Sequence, residues 1–279
     1  MPQPSSTVAS FGERAVAAGR ERGRLCVGID PHPHLLEAWG LTVDVDGLRT
    51  FTMTCVEAFA DTAAMVKPQV AFYERFGSRG FAVLEDALAA LREQGCLSLA
   101  DAKRGDIGST MAGYADAWLG ESSPLRADAV TVSPYLGVGA LNPVFDLAEA
   151  TGRGVFVLAA TSNPEAVALQ SLSVDGRSVA QRVVDELAER NTAAGAAVGA
   201  LGVVVGATLD TPPELDQLNG PVLLPGVGAQ GATPDDVRTL TATAPELGFA
   251  NVSRAILSHG PRVADLRESV ISTAAEFRD

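Results

Sequence analysis

The stretch Leu97-Ser-Leu-Ala-Asp101-Ala-Lys103-Arg-Gly-Asp106-Ile-Gly-Ser-Thr110 passes from a short apolar run, through a cluster of charges, into small and hydroxyl residues that can open a helix. Residues 97–100 have the length and character of a strand buried on both faces. Asp101 and Lys103, two apart in extended chain, point the same way. Asp106 and Thr110, four apart, can share one face of the helix expected to begin there. Strand, charged turn and helix in that order make a β/α unit, whose functional groups gather at the C-terminal end of the strand.

The same order recurs on both sides of this stretch. Apolar runs of strand character lie at residues 25–29, 65–70, 97–100, 129–132, 155–159, 201–205, 222–224 and 249–252. Amphipathic segments such as 83–94, 140–150 and 179–194 separate them. Strand–helix alternation of this number in 279 residues predicts a closed parallel (β/α)8 TIM barrel, with an open doubly wound sheet as the alternative. Residues 5–22 read as an extra N-terminal helix closing the barrel floor. Residues 1–24 are then a helical extension of a single domain spanning 1–279. Residues 165–178 form an excursion after the fifth strand, where Asp175-Gly176 predicts a tight turn, possible as a small hairpin.

Composition narrows the function. The chain is 47% hydrophobic with a formal net charge of −13, which argues against nucleic-acid or anionic-membrane partners, since both require a basic footprint. No run resembles a membrane span or a secretory leader, so a soluble, cytoplasmic protein is expected. Cys26, Cys55 and Cys96 share no metal-ligand spacing and read as free buried thiols. Among 21 basic residues only Lys67 and Lys103 are lysines. A lysine retained among arginines points to what arginine cannot do, which is to give up a proton.

The strand-end positions are Asp30, Lys67, Asp101 with Lys103, Ser133, Thr161-Ser162, Thr208, 226–230 and Ser253-Arg254. Both lysines fall among them. Gly226, Gly228 and Gly231 allow backbone N–H groups to approach an anion, helped by a nearby helix N-terminus, and Arg254 adds a bidentate cation. That pairing at the seventh and eighth strands predicts a phosphate site. His32 and His34 have H-x-H spacing, but they stand between Pro31 and Pro33 without acidic partners, and a metal site is rejected. Ser133 and Tyr135 are left between lining a pocket and ending a strand.

Together these motifs closely resemble the orotidine 5′-monophosphate decarboxylase family, whose signature D-x-K-x-x-D-I-x-x-T is matched by residues 101–110. Cys26-Val-Gly-Ile-Asp30-Pro looks like the family's first strand, Val66-Lys67-Pro like its second, Leu224-Pro-Gly-Val-Gly-Ala-Gln230-Gly like its phosphate loop, and Ser253-Arg254-Ala-Ile like its eighth-strand arginine site. The match runs from about residue 25 to 257, and Ala-Thr-Ser162-Asn-Pro is most like the actinobacterial-type branch. The resemblance implies an alternating network of Lys67, Asp101, Lys103 and Asp106, with Asp106, Ile107 and Thr110 serving the neighbouring subunit of a homodimer. It also implies that Asp30 binds ribose hydroxyls, Ser162 the pyrimidine and Arg254 the phosphate, with Gln230 the closing-loop residue of the phosphate loop. The implied reaction makes uridine 5′-monophosphate, in de novo pyrimidine biosynthesis.

Loss of CO2 from C6 of the ring leaves an in-plane carbanion that the π system cannot delocalise. The chain shows neither a Rossmann glycine fingerprint nor a metal-ligand cluster, so no cofactor is expected and charge stabilisation falls to Lys103. A Mg2+-dependent sugar-phosphate decarboxylase or synthase of the same suprafamily is the nearest rival, but it carries an acid where Lys67 stands. A catalytically silent nucleotide-binding regulator is the rival of another class.

Overall fold

The computed structural model describes residues 9–228 and 230–278. Residues 5–8 of the expected first helix and Ala229 of the glycine loop lie outside the described residues.

Eight parallel strands close into a barrel: β1 (Leu25–Ile29), β2 (Met65–Pro68), β3 (Leu97–Arg104), β4 (Ala129–Val132), β5 (Gly154–Ala160), β8 (Leu201–Val205), β9 (Val222–Pro225) and β10 (Gly248–Val252), with β10 pairing back to β1. The hairpin β6 (Ser173–Val174) and β7 (Arg177–Ser178) stands outside it and turns through Asp175 and Gly176, both with positive φ. The open-sheet alternative is excluded by the β1–β10 rung. The strands are buried along almost their whole length because helices cover the outside and side chains fill the inside.

Helix Gly77–Glu93 illustrates how the outer layer is specified. It buries Val83, Leu84, Ala87, Leu88 and Leu91, the spacing of one helical face. Helix Val179–Ala194 is bounded by Ser178, whose hydroxyl accepts from the Gln181 N–H, and by left-handed Gly195. One crossover departs from the expected β/α alternation: residues 206–221, between β8 and β9, contain no helix. Thr211-Pro-Pro213 removes two backbone donors and disfavours helical backbone before each proline. Buried Asn191 instead ties the end of this crossover to the start of β8, donating to the carbonyls of Leu218 (2.9 Å) and Leu201 (2.8 Å).

The N-terminal helix, Phe11–Arg22, closes the barrel floor as expected. Ser10 and Glu13 form its capping box, and the Ser10 hydroxyl also donates to Val198 O. Phe11 inserts between strands, packing edge-on against Phe156 with ring centroids 5.8 Å apart. Gly154 makes this approach possible, since a Cβ there would lie 2.3 Å from the Phe11 ring. The barrel interior is therefore packed at its floor, on the side away from the strand C-termini. Among the described residues, no helix is long and apolar enough to cross a membrane.

Candidate active site

The mouth at the C-terminal ends of the strands holds a cavity of about 340 Å³. Its wall includes Asp30, Lys67, Asp101, Lys103, Ser162, Gln230 and Arg254, which lie far apart in sequence. Asp106, Ile107 and Thr110 are absent from that wall.

Asp101 is the hub. Its Oδ2 accepts from Lys67 Nζ at 2.7 Å and its Oδ1 from Lys103 Nζ at 2.5 Å. Thr131 Oγ1 also donates to Oδ1, at 2.9 Å. With its amide nitrogen turned toward Asp101, Gln69 donates to Oδ2 (3.0 Å) and to the Asp101 carbonyl (2.8 Å). Burial, the largest single influence on Asp101, favours its neutral form, yet the combined attraction of Lys67 and Lys103 prevails and holds the carboxyl well below the usual range. Burial likewise disfavours the Lys67 ammonium, but Asp101 and then Asp30 outweigh it and raise Lys67 above its ordinary value. The two cations differ in access. The Lys67 side chain is 4% exposed and locked in the wall, whereas that of Lys103 is 43% exposed and faces the cavity.

Plain strand alternation does not account for the Asp101–Lys103 contact. The β3–β4 register shifts between Ala100 and Arg104, and Lys103 adopts φ +47°, a left-handed conformation rare for a side-chain-bearing residue. Such backbone costs roughly 1–2 kcal/mol and needs support. That support comes from Lys103 N–H donating to Thr131 Oγ1 (2.9 Å) and Ser133 N–H donating to Arg104 O (2.7 Å). The Arg104 guanidinium is pinned by Glu74 and lies over the Tyr114 and Trp118 rings.

Asp106 also departs from expectation. The helix is Gly108–Leu119 with Ile107 at its N-cap, so Asp106 precedes it and shares no helical face with Thr110. Gly108, with φ +52°, breaks the chain there. Asp106 Oδ1 instead accepts from Ile107 N–H at 2.8 Å. Ile107 is 61% exposed, and Tyr135 and Leu136 in the loop after β4 are also open to solvent.

Next to the Lys67 strand, Asp30 follows β1, and its Oδ1 is buried without a hydrogen-bond partner among the described residues. Gly28 is the only residue type that fits beneath it, because a Cβ there would fall 1.8 Å from Ser253 Oγ. Ser162 Oγ donates to Gln230 Oε1 at 2.9 Å, joining the β5 loop to the β9 loop. The glycine loop is left-handed at Gly226, Gly228 and Gly231. However, the N–H groups of Gly228, Gln230, Gly231 and Ala232 all donate to carbonyls within the loop. The next helix, Pro234–Leu240, has its first turn capped by Thr233 and Asp236. The expected cradle of N–H groups and helix dipole is thus largely self-satisfied, while Arg254 and Gln230 line the cavity beside it.

His32 lines the cavity while His34 does not, and their rings are 5.2 Å apart. Among the described residues, no group of three or more His, Cys, Asp or Glu side chains could hold a metal ion. Ser133 and Thr208 lie outside the wall. The three cysteines are free and buried, and burial pushes the Cys26 thiol up to about 12. Thr131, Gln69 and Asn251 are wall residues that sequence reasoning missed. Thr131 and Asn251 each carried a signal, as the polar member of an otherwise apolar strand run.

Comparison with known proteins agrees with this geometry. Residues 23–269 match the model of the orotidine 5′-phosphate decarboxylase / HUMPS family. A Corynebacterium efficiens protein named orotidine 5′-phosphate decarboxylase is 63% identical over 96% of this chain and 97% of its own length. The crystal structure of a putative orotidine 5′-phosphate decarboxylase from Streptomyces avermitilis superposes with a TM-score of 0.91 at 49% identity, covering 99% of this chain and 98% of that one. Leishmania donovani OMP decarboxylase gives 0.76 at 29% identity, covering 96% and 97%. A family match over most of the length, together with relatives this similar over nearly their whole chains, places this chain in the orotidine 5′-phosphate decarboxylase / HUMPS family.

Proposed function

We propose that the protein decarboxylates orotidine 5′-monophosphate to uridine 5′-monophosphate without a cofactor, using Lys103 as the proton donor. The observation that carries this reading is the buried Asp101 carboxylate shared between a locked Lys67 and a cavity-facing Lys103. The C6–carboxylate bond breaks, CO2 departs, and the electron pair remains on C6. Lys103 Nζ stabilises that charge and gives C6 a proton, then recovers one from solvent. Asp101 lies where the departing carboxylate would sit. Two like charges about 4 Å apart repel by roughly 4 kcal/mol at an effective dielectric of 20. Enzymatic accelerations require about 8–23 kcal/mol. Since Asp101 is compensated by two ammonium groups and a hydroxyl, the repulsion is smaller still, and carbanion stabilisation supplies the greater share.

Asp30, with its unpartnered Oδ1, binds ribose hydroxyls, Ser162 meets the pyrimidine edge, and Gln230 with Arg254 holds the phosphate. Grip on that remote phosphate orients the reacting carbon. Asp106, Ile107 and Thr110 complete the site of a second subunit. Their position outside their own cavity, with Ile107 exposed to solvent, supports a homodimer with shared sites. The decisive experiment is the ultraviolet assay on purified protein with a chelator present. Turnover of orotidine 5′-monophosphate under those conditions is expected, and a requirement for a divalent ion would overturn the reading.

A further inference from the structure

The excursion after β5 is joined to the site by one side chain. It comprises a 3-10 turn at Pro164–Ala166, the short helix Val167–Gln170 and the β6–β7 hairpin. Its far end is tied down by Val179 N–H donating to Leu172 O (2.9 Å) and by Arg182 donating to Val174 O (2.6 Å). From this anchored base Gln170 reaches back nine residues to Thr161, accepting from its N–H at 2.7 Å and donating to its Oγ1 at 3.0 Å. Thr161 Oγ1 in turn donates to Asn163 Oδ1 at 2.7 Å, and Asn163 Nδ2 to Glu165 at 2.9 Å.

Thr161 sits where barrel pairing ends. The last rung there is Gly206 N–H donating to Ala160 O at 2.9 Å. The next residue toward the cavity is Ser162, whose hydroxyl bonds Gln230. Its backbone rests on Gly206, where a Cβ would stand 3.0 Å from Ser162 N. Ser162 is thus held from below by a glycine contact and from behind only through Thr161.

We propose that Gln170 is a positioning residue: its amide fixes Thr161, and through it Ser162, at the base-binding edge of the pocket. The excursion contributes to the reaction by delivering that amide. This rests on the assignment of Ser162 to the pyrimidine. Without the amide, the Thr161 N–H turns to water and the Ser162 hydroxyl samples positions from which the ring is not aligned with Lys103. A displacement near 1 Å at such a contact costs up to roughly 100-fold in rate.

The test is a cycle of Gln170→Met, Ser162→Ala and the double variant in the full-length protein, with kcat and KM for orotidine 5′-monophosphate and Tm measured for each. Gln170→Met keeps the side chain's length and removes its hydrogen bonds. It should lower kcat/KM by about 10- to 100-fold with Tm lowered by no more than about 3 °C, since the residue is half-buried and the Thr161 N–H it frees can turn to water. The double variant should be no worse than the slower single one by more than about twofold, because both changes act at one contact. Gln170→Glu, which can accept from both the N–H and the hydroxyl of Thr161, should recover most of the loss. If Ser162→Ala turns over at the parent rate, the Ser162 assignment itself falls. If Ser162→Ala is slow but Gln170→Met is not, or if the two losses multiply, the positioning role is refuted while that assignment stands.

Discussion

Replacing Asp101 by Asn tests whether the Lys67–Asp101–Lys103 array is an interdependent unit. The side chain keeps its shape but loses the charge that two ammonium groups share. At 2.7 Å and an effective dielectric of 20, the Lys67–Asp101 attraction alone is about 6 kcal/mol. Removing water from the two ions costs several kcal/mol each, so the intact pair contributes little net. Removing one partner leaves the other buried and uncompensated, which typically costs about 3–5 kcal/mol. For a chain of this size that lowers Tm by roughly 5–9 °C. The pH dependence gives an independent signature. In the parent, Lys67 is raised, so its contribution is complete below the unfolded value near ~10.4 and fades only as pH climbs through the native one. Between about pH 7 and 9.5 the parent changes little on this account. In Asp101→Asn, burial, the largest influence on Lys67, is opposed chiefly by Asp30. The native state then binds fewer protons than the unfolded one, and stability rises with pH over the same window. Adding Lys67→Met should restore much of the loss, since an apolar replacement leaves no stranded charge. Urea unfolding followed by circular dichroism at both pH values reads all three effects. A loss below about 1 kcal/mol with no pH trend would refute the account of the hub.

Four further outcomes follow from the same geometry. Lys103→Ala should abolish decarboxylation and leave the fold intact, because its side chain is 43% exposed; a substantial residual rate in the ultraviolet assay would contradict its role as proton donor. Mixing Lys103→Ala with Asp106→Ala chains should regenerate one working site per heterodimer, and failure of mixed subunits to regain activity would end the shared-site proposal. Gly28→Ala places a methyl 1.8 Å from Ser253 Oγ and 2.8 Å from its Cβ; it should cost about 1–3 kcal/mol of stability and raise KM by shifting the neighbouring Arg254, with Ser253→Gly relieving both. Since Asp101 is depressed in the native state, its contribution is present above the unfolded value near ~3.9 and is lost as pH falls through the native one. Acid unfolding of the parent should therefore be steeper below about pH 4 than that of Asp101→Asn.

Several features were legible before folding because they are set by neighbours in the chain. Strands β1, β4 and β8 and helix Val179–Ala194 begin and end where apolar pattern, caps and glycines place them. The hairpin at Asp175-Gly176 follows from turn chemistry in the same way. The missing helix at 206–221 was also written locally, in Thr211-Pro-Pro213, but the eightfold alternation obscured it. Thr131 and Gln69 escaped notice because a lone polar residue in or after a strand has no visible partner until the barrel closes.

Residue types, their spacing and local propensity determined the barrel, its floor helix and the set of strand-end groups, since hydrophobic periodicity and backbone sterics act over a few residues. Tertiary structure decided which of those groups meet. The left-handed Lys103, the register shift behind it and the reach of Gln170 to Thr161 depend on contacts across strands and loops. So does the exclusion of Asp106 from its own cavity. Such contacts are chosen by the closed packing of the whole barrel, whose free energy no short segment carries.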